Sequence, residues 1–191
     1  TSLMFCMTAD KERPCTSFAV TSSKSSEGKS LTAANIAISY AMLGKKVLLI
    51  DADMRKPTQR RLWRVEKPTG LCDFLAKISK LELDKVKDLP LWIVCTGTIP
   101  PNPSELLSSE RMKHFVEESA KVYDYIIIDT PPINTVADAQ IVSTYVDGVV
   151  LVVKSGDTTE DELNEAIDAV RRAGGNLCGT VLNDLNMKSV K

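Results

Sequence analysis

Residues 17–30 read Ser-Phe-Ala-Val-Thr-Ser-Ser-Lys-Ser-Ser-Glu-Gly-Lys-Ser, and this stretch decides the architecture. Ser17–Ser22 is a short apolar run of strand character. It leads directly into a loop, residues 23–30, that closes on Gly28-Lys29-Ser30. Ala33, Ile36, Ala37, Tyr40 and Ala41 then recur at helical spacing until Gly44 ends the pattern. Strand, glycine-lysine-serine turn and helix, in that order, make a phosphate loop. Successive backbone N–H groups and a helix N-terminus cradle phosphate oxygens. Gly28 lets the backbone approach closely, Lys29 offsets charge on the β- and γ-phosphates, and the Ser30 hydroxyl is a Mg²⁺ ligand in this pattern. Ser23 stands where a glycine usually opens such a loop. Gly-Lys-Ser/Thr arises by chance in roughly one chain in ten of this length, so the weight lies in its placement between a strand and a helix.

Working outward, the apolar runs Val47–Ile50, Leu91–Val94, Tyr125–Ile128, Val149–Val153 and Gly179–Leu182 are apolar on both faces, as buried parallel strands are. Helical patterns alternate with them. Leu71, Phe74, Leu75 and Ile78 share one spacing. Asn102-Pro103-Ser104-Glu105 reads as a helix start with an Asn cap and Pro at the first position. Asp157-Thr158-Thr159-Glu160 reads as another, in a helix that ends at Gly174-Gly175 after Arg171 and Arg172. The expected fold is α/β: a doubly wound, mostly parallel sheet with helices on both faces, of the P-loop NTPase kind. Ligands of such sheets bind beyond the carboxyl ends of the strands.

Two acidic strand ends point to that place. Asp51 and Asp53 follow the second strand in Leu-Leu-Ile-Asp-Ala-Asp, and Asp129 ends another in Ile-Ile-Ile-Asp-Thr-Pro-Pro. A carboxylate there can hold Mg²⁺, with Ser30, Asp53 and Asp129 as the candidate ligands, or accept the proton of an attacking hydroxyl. A turn or cap aspartate is the ordinary alternative, but three at strand ends beside one Gly-Lys-Ser make coincidence a poor explanation. Lys29, Asp51, Asp53 and Asp129 are the catalytic candidates. Lys24, Ser25, Ser26, Glu27, Gly28, Lys29, Ser30 and Leu31 are the candidates for contact with ATP. Lys24, five residues before Lys29, fits the deviant Walker A spacing Lys-x-x-x-x-Lys-Ser/Thr. A solvated loop lysine is the bland reading of the same residue, at nearly equal odds.

Composition bounds the rest. The 191 residues are expected to form one domain, 1–191. Because the chain opens on Thr1, it is expected to be a piece of a longer protein. Lys plus Arg number 24 and Asp plus Glu 25, so the net charge of −1 supplies no global field for nucleic acid, and no such partner is expected. No apolar run approaches the roughly 18 residues that span a bilayer, and no secretory signal is expected. Five cysteines, at 6, 15, 72, 95 and 178, form no Cys-x-x-Cys pair and read as free thiols of a reducing cytoplasm. One histidine, His114, argues against a histidine-based triad or metal centre.

The phosphate loop TSSKSSEGKS, the second motif VLLIDADMRKP, the third motif YDYIIIDTPP and the segment PPNPSELLSSERM together resemble the cytoplasmic domain of bacterial protein-tyrosine kinases that regulate capsule and exopolysaccharide synthesis. The resemblance covers nearly the whole chain. It implies transfer of the γ-phosphoryl group of Mg–ATP to tyrosine. In that family the counterparts of Lys29 and Ser30 bind phosphate and Mg²⁺, those of Asp51 and Asp53 form the second Walker motif, and that of Asp129 fills the Walker B position. Asn183 resembles the asparagine that reads adenine in this ATPase class, although its neighbour, usually basic, is Asp184. The family also implies a tyrosine-bearing protein substrate, often the enzyme's own C-terminal tail, a membrane activator or fused membrane segment, and assembly into a homo-oligomer at the inner face of the membrane. This sequence departs from the family in three places. Its tyrosines, 40, 123, 125 and 145, are not near Lys191; the family's arginine-containing subunit-contact motif, expected just upstream of Thr1-Ser2-Leu3, is not among residues 1–191; and Ser25-Ser26 replaces a frequent Pro-Gly pair.

Other readings stay open on residues alone. A partition-type ATPase would share the phosphate loop and use water as nucleophile, and a nucleotide-gated scaffold would bind ATP with little chemistry. The basic cluster Arg55, Lys56, Arg60, Arg61 and Arg64 reads either as a docking surface for acidic tyrosine-bearing tails or a neighbouring subunit, or as a solvated face, the latter slightly favoured. Asp138 reads either as a group that orients a catalytic residue near the third motif or, more simply, as a helix cap, His114 as structural or exposed, and Trp63 and Trp92 as packing.

Overall fold

A computed structural model describes residues 17–185; Thr1-Ser2-Leu3, Cys6 and Cys15 lie outside them. The strands are β1 (Ser17–Ser22), β2 (Val47–Asp51), β3 (Asp84–Lys85), β4 (Leu91–Val94), β5 (Tyr125–Asp129), β6 (Gly148–Lys154) and β7 (Leu177–Asn183). The helices are α1 (Lys29–Met42), α2 (Gln59–Trp63), α3 (Leu71–Leu75), α4 (Pro103–Ser108), α5 (Glu110–Ala120), α6 (Asp138–Ser143) and α7 (Glu160–Arg172). One sheet holds the strands in the order β3-β4-β2-β5-β1-β6-β7. Every pairing is parallel except β3–β4. The doubly wound fold expected from the sequence is therefore the fold observed.

Strand residues alternate between two cores. Leu48, Ile50, Ile126, Ile128, Val149 and Leu151 face one side, where Met112 and Val116 of α5, Val142 of α6 and Ala166 and Val170 of α7 cover them. Phe18, Val20, Leu49, Ile127 and Val150 face the other, covered by Ala33, Ala37, Tyr40 and Ala41 of α1. Each side chain takes apolar surface from water at about 25 cal/mol per Å², which explains why the interior strands β2, β5 and β6 are so apolar, whereas the edge strand β7, expected to be apolar on both faces, is half exposed. Alanines on α1 allow that helix to lie close to the sheet, and so fix the loop in front of it.

Some local expectations need correction. The pattern at Leu71, Phe74, Leu75 and Ile78 continues past the helix: α3 stops at Leu75, and Ile78 is 73% exposed. Asn102 occupies the cap position of α4 but its side chain donates to Glu105 instead of capping the backbone. Thr159 caps α7 in a reciprocal box with Glu162. The two-residue β3 carries no sequence signal; Lys85 pairs with Trp92 and lies over its ring at 5.6 Å. Cys72 and Cys95 are buried thiols that burial pushes up to about 12. Among the described residues no helix is long and apolar enough to cross a membrane.

Candidate active site

β1 lies between β5 and β6, so the loop that leaves it opens over the carboxyl ends of β2, β5 and β6. Two backbone positions shape this loop. Ser26 (φ 68°) and Gly28 (φ 90°) are left-handed. At Gly28 any larger residue would be strained, and a Cβ would come 2.1 Å from Nδ2 of Asn183. Glu27 is fully buried within the loop. Its carboxylate accepts from Ser23 Oγ at 2.9 Å, from the Lys24 backbone N–H at 2.9 Å, and from Thr158 Oγ1. The side chain thus builds the loop.

Lys29 and Ser30 open α1 and are buried. Lys29 Nζ lies 2.7 Å from Asp53 Oδ2, 3.6 Å from Asp129 Oδ1 and 3.2 Å from Ser30 Oγ. Burial alone would lower the Lys29 pKa, but Asp129 and Asp53 outweigh it and the value rises. The register pairs Asp51 directly with Asp129 across β2 and β5. Neighbouring strands are about 4.8 Å apart, so two fully buried carboxyl groups share one place. Burial, then repulsion from Asp129, pushes Asp51 up to about 8. Burial also raises Asp129, against the opposing pull of Lys29.

A glutamine joins these parts. Gln59, fully buried at the start of α2, donates from Nε2 to Asp129 Oδ2 and to the Ser30 carbonyl, each at 2.9 Å. Its Oε1 accepts from Trp63 Nε1 at 3.0 Å. The backbone N–H groups of Thr58 and Gln59 donate to Asp51 Oδ2 at 3.1 and 2.9 Å, and that of Lys56 to Asp53 Oδ1 at 3.0 Å. One oxygen of each strand-end carboxylate is thereby fixed. Asp51 Oδ1 and Asp129 Oδ1 remain buried without a hydrogen-bond donor. A buried orphan acceptor is costly unless something is meant to meet it. Hydroxyl and carboxylate oxygens are also the donor set that Mg²⁺ takes when phosphates complete its shell. Among the described residues no cluster of three or more acidic, histidine or cysteine side chains could hold a metal unaided.

A cleft of about 440 Å³ opens beside the loop. Ser25, Ser26, Gly28, Lys29, Ser30 and Leu31 form one wall, residues of the second motif another, and Pro131, Pro132, Thr135 and Val136 the third. Lys24 is outside it. Its ammonium donates to both carboxylate oxygens of Glu162, at 2.9 and 3.1 Å, and to the Asp157 carbonyl at 2.9 Å. Asn183 Nδ2 donates to the Glu27 carbonyl at 3.0 Å, behind Gly28. Asp138 is no cap: it is fully buried and accepts from Arg55 Nε at 2.8 Å and Ser104 Oγ at 2.6 Å, tying the second motif to α4 and α6. Sequence reasoning missed Gln59 and misread Asp138. An arginine in the second motif and a serine in PPNPSELL were visible, but nothing local pairs them.

Loop, cation and converging carboxylates define a P-loop nucleotide-binding domain. Residues 16–176 match the family described as AAA domain. The chain is 44% identical over 177 residues to the tyrosine-protein kinase YwqD of Bacillus subtilis, covering 92% of this chain and 75% of that one. Among solved structures, the chimerical protein CapA2B2 superposes with a TM-score of 0.90 at 36% identity, over 96% of this chain and 80% of that one. The kinase domain of the Escherichia coli tyrosine kinase ETK gives 0.89 at 32%, over 95% and 71%. The chain belongs to the bacterial protein-tyrosine kinase family that regulates capsule and exopolysaccharide synthesis. It is an ATP-binding tyrosine kinase domain, and membership implies use of ATP and Mg²⁺ and of a partner or substrate protein.

Proposed function

We propose that the residues around this cleft transfer the γ-phosphoryl group of Mg–ATP to a tyrosine as follows. The loop N–H groups and Lys29 hold the phosphates. Ser30, with Asp129, would hold Mg²⁺, which would supply charge compensation on the phosphates, and Asp53, the third candidate ligand, is kept as the base. A triphosphate draws Lys29 from Asp53, and the released carboxylate, the one that lines the cleft, accepts the phenolic proton. The tyrosine oxygen bonds to the γ-phosphorus, the bond from that phosphorus to the β–γ bridging oxygen breaks, and ADP leaves. Asp51, buried behind, steadies Asp129 and the start of α2. Asn183 is kept as the adenine contact by analogy with the family. The whole 1–191 is read as a single domain.

The observation that carries this reading is the ion pair of Lys29 with Asp53 at 2.7 Å on the floor of the cleft, with Asp129 at 3.6 Å. The acceptor is a tyrosine on another segment or molecule. Within the described residues Tyr40 and Tyr125 stack at 4.0 Å, and the Tyr145 hydroxyl donates to the Leu107 carbonyl. A C-terminal tyrosine tail, a membrane activator or fused membrane segment, homo-oligomerisation, and a place at the inner face of the membrane follow from the family by analogy. Incubation with Mg–ATP and a tail-bearing full-length partner, read by mass spectrometry, tests the reading. Phosphotyrosine is expected. ATP turnover without phosphotyrosine would instead favour a partition-type ATPase.

A further inference from the structure

We propose that the mouth of the cleft selects an acceptor tyrosine flanked by acidic residues, through Lys56 and Arg61. The inference rests on the kinase reading above and adds the substrate chemistry of the same site.

The charges around the cleft are not equally engaged. Lys29 is paired with Asp53, and Arg55 is clamped by the buried Asp138 and by Ser104. Lys56 and Arg61 also line the cleft, are exposed, and have no ion-pair partner among the described residues. Lys56 belongs to the second motif and Arg61 to α2, and both line the cleft that the phosphate loop also lines. Two unmatched cations at the mouth of a largely apolar cleft make a local positive field that the net charge of −1 conceals. Of the other cluster members, Arg60 is occupied by the carbonyls of Val65 and Glu66. The cluster therefore holds members engaged by the fold, Arg55 and Arg60, and members of the cleft wall that remain available, Lys56 and Arg61.

The remaining lining fits an aromatic ring. Leu31 and Leu62, 53% and 40% exposed, meet Pro131, Pro132 and Val136 around the same space. Leucines left open on a cleft wall beside prolines offer a phenyl ring an apolar seat with its hydroxyl directed at the polar floor. Acidic neighbours of that tyrosine would meet Lys56 and Arg61 at the rim, where opposite charge favours encounter and register more than bare affinity.

The test uses the chain with Mg–ATP and synthetic peptides in which one tyrosine is flanked by Glu, Ala or Lys. We expect kcat/KM for the Glu peptide to exceed that for the Lys peptide by about tenfold or more, with the preference shrinking as salt is raised. The ratio should collapse towards one in the double variant Lys56→Ala/Arg61→Ala and invert in Lys56→Glu/Arg61→Glu, while calorimetric affinity for Mg–ATP stays within about threefold. Equal use of the three peptides, or a ratio unmoved by charge reversal, overturns the proposal. So does a loss of nucleotide affinity parallel to the loss of peptide use, which would assign both cations to ATP. Phosphorylation of a tail-bearing protein with none of any peptide overturns it and leaves the kinase reading standing. Absence of phosphotyrosine on every substrate removes that reading, and the selectivity with it.

Discussion

The phosphate loop lies between two unlike neighbours. On its β2/β5 side, Lys29, Asp51, Asp53 and Asp129 are buried together, three carboxyl groups to one ammonium, and two carboxyl oxygens have no hydrogen-bond donor. On its β6/β7 side, Lys24 meets Glu162, Glu27 meets Thr158 and Ser23, and Asn183 meets the Glu27 carbonyl. There the polar groups satisfy one another. The difference separates two tasks. Unbalanced buried charge is held in readiness for a ligand, and at a functional site it is tolerated because the surrounding fold enforces it. Balanced charge on the other side holds the loop in the shape that the ligand requires.

The comparison breaks first at Lys29. Lys29→Met should weaken Mg–ATP binding by on the order of 100-fold or more, because it deletes the phosphate-facing cation and leaves Asp53 and Asp129 uncompensated. Circular dichroism should show the helical content retained. Wild-type nucleotide affinity in calorimetry would remove this side's claim to the ligand.

The carboxylates come next. Asp53→Asn should lower phosphoryl transfer about 10²-fold or more, the range for losing a general base, with a smaller change in nucleotide affinity. Asp51 gives a pH signature. Its folded pKa, about 8, stands above its unfolded value. Its contribution to stability is therefore complete below the unfolded pKa and is lost as pH rises through the folded one. The nucleotide-free domain should accordingly resist urea less at pH 9 than at pH 6, and Asp51→Asn should flatten that decline. An equal decline in the variant would place the alkaline loss elsewhere.

Gln59 sharpens the contrast, since it is a neutral side chain fixed among the charges. Gln59→Leu keeps approximate volume but removes the donor to Asp129 and to the Ser30 carbonyl. Loss of a hydrogen bond to a charged group amounts to about 1.5–3 kcal/mol. A fall in kcat of about tenfold or more is expected, with the Mg–ATP dissociation constant changed less than kcat. Equal losses in both would mean that Gln59 supports binding alone.

How legible each side was follows from the range of its interactions. β2, β4, β5 and β6 were readable because burial on both faces leaves apolar runs, β1 because its short apolar stretch leads into the glycine-lysine-serine turn, and Asp51, Asp53 and Asp129 because they follow such runs. Position in a parallel sheet then brings strand ends together without any further code. Gln59 offered no such signal: it sits in a five-residue helix, and its partners are 29 and 70 residues distant. Asp138 looked like a cap because its partner Arg55 is 83 residues away. Lys24 matched a phosphate-contact spacing, yet its acceptor, Glu162, is 138 residues off in sequence. Local pattern announces elements and their ends. Pairings between elements emerge only when the sheet is assembled.

The smallest expected effect belongs to the satisfied side and is the most discriminating. Glu162→Gln removes the charge partner of Lys24 while keeping the size of the side chain and part of its capping of α7. Exposed pairs contribute little to stability, and Lys24 remains within reach of the Asp157 carbonyl and of the Asp157 carboxylate at 3.6 Å. Melting temperature should therefore hardly move, and Mg–ATP affinity should stay within about twofold. If affinity instead rises severalfold, the ammonium of Lys24 is being withheld from the phosphates by Glu162, and the β6/β7 side regulates the ligand rather than merely supporting the loop. If affinity falls severalfold, the loop needs that tether to keep its shape. An unchanged value leaves the division between the two sides as drawn: chemistry where charge is unmet, support where it is met.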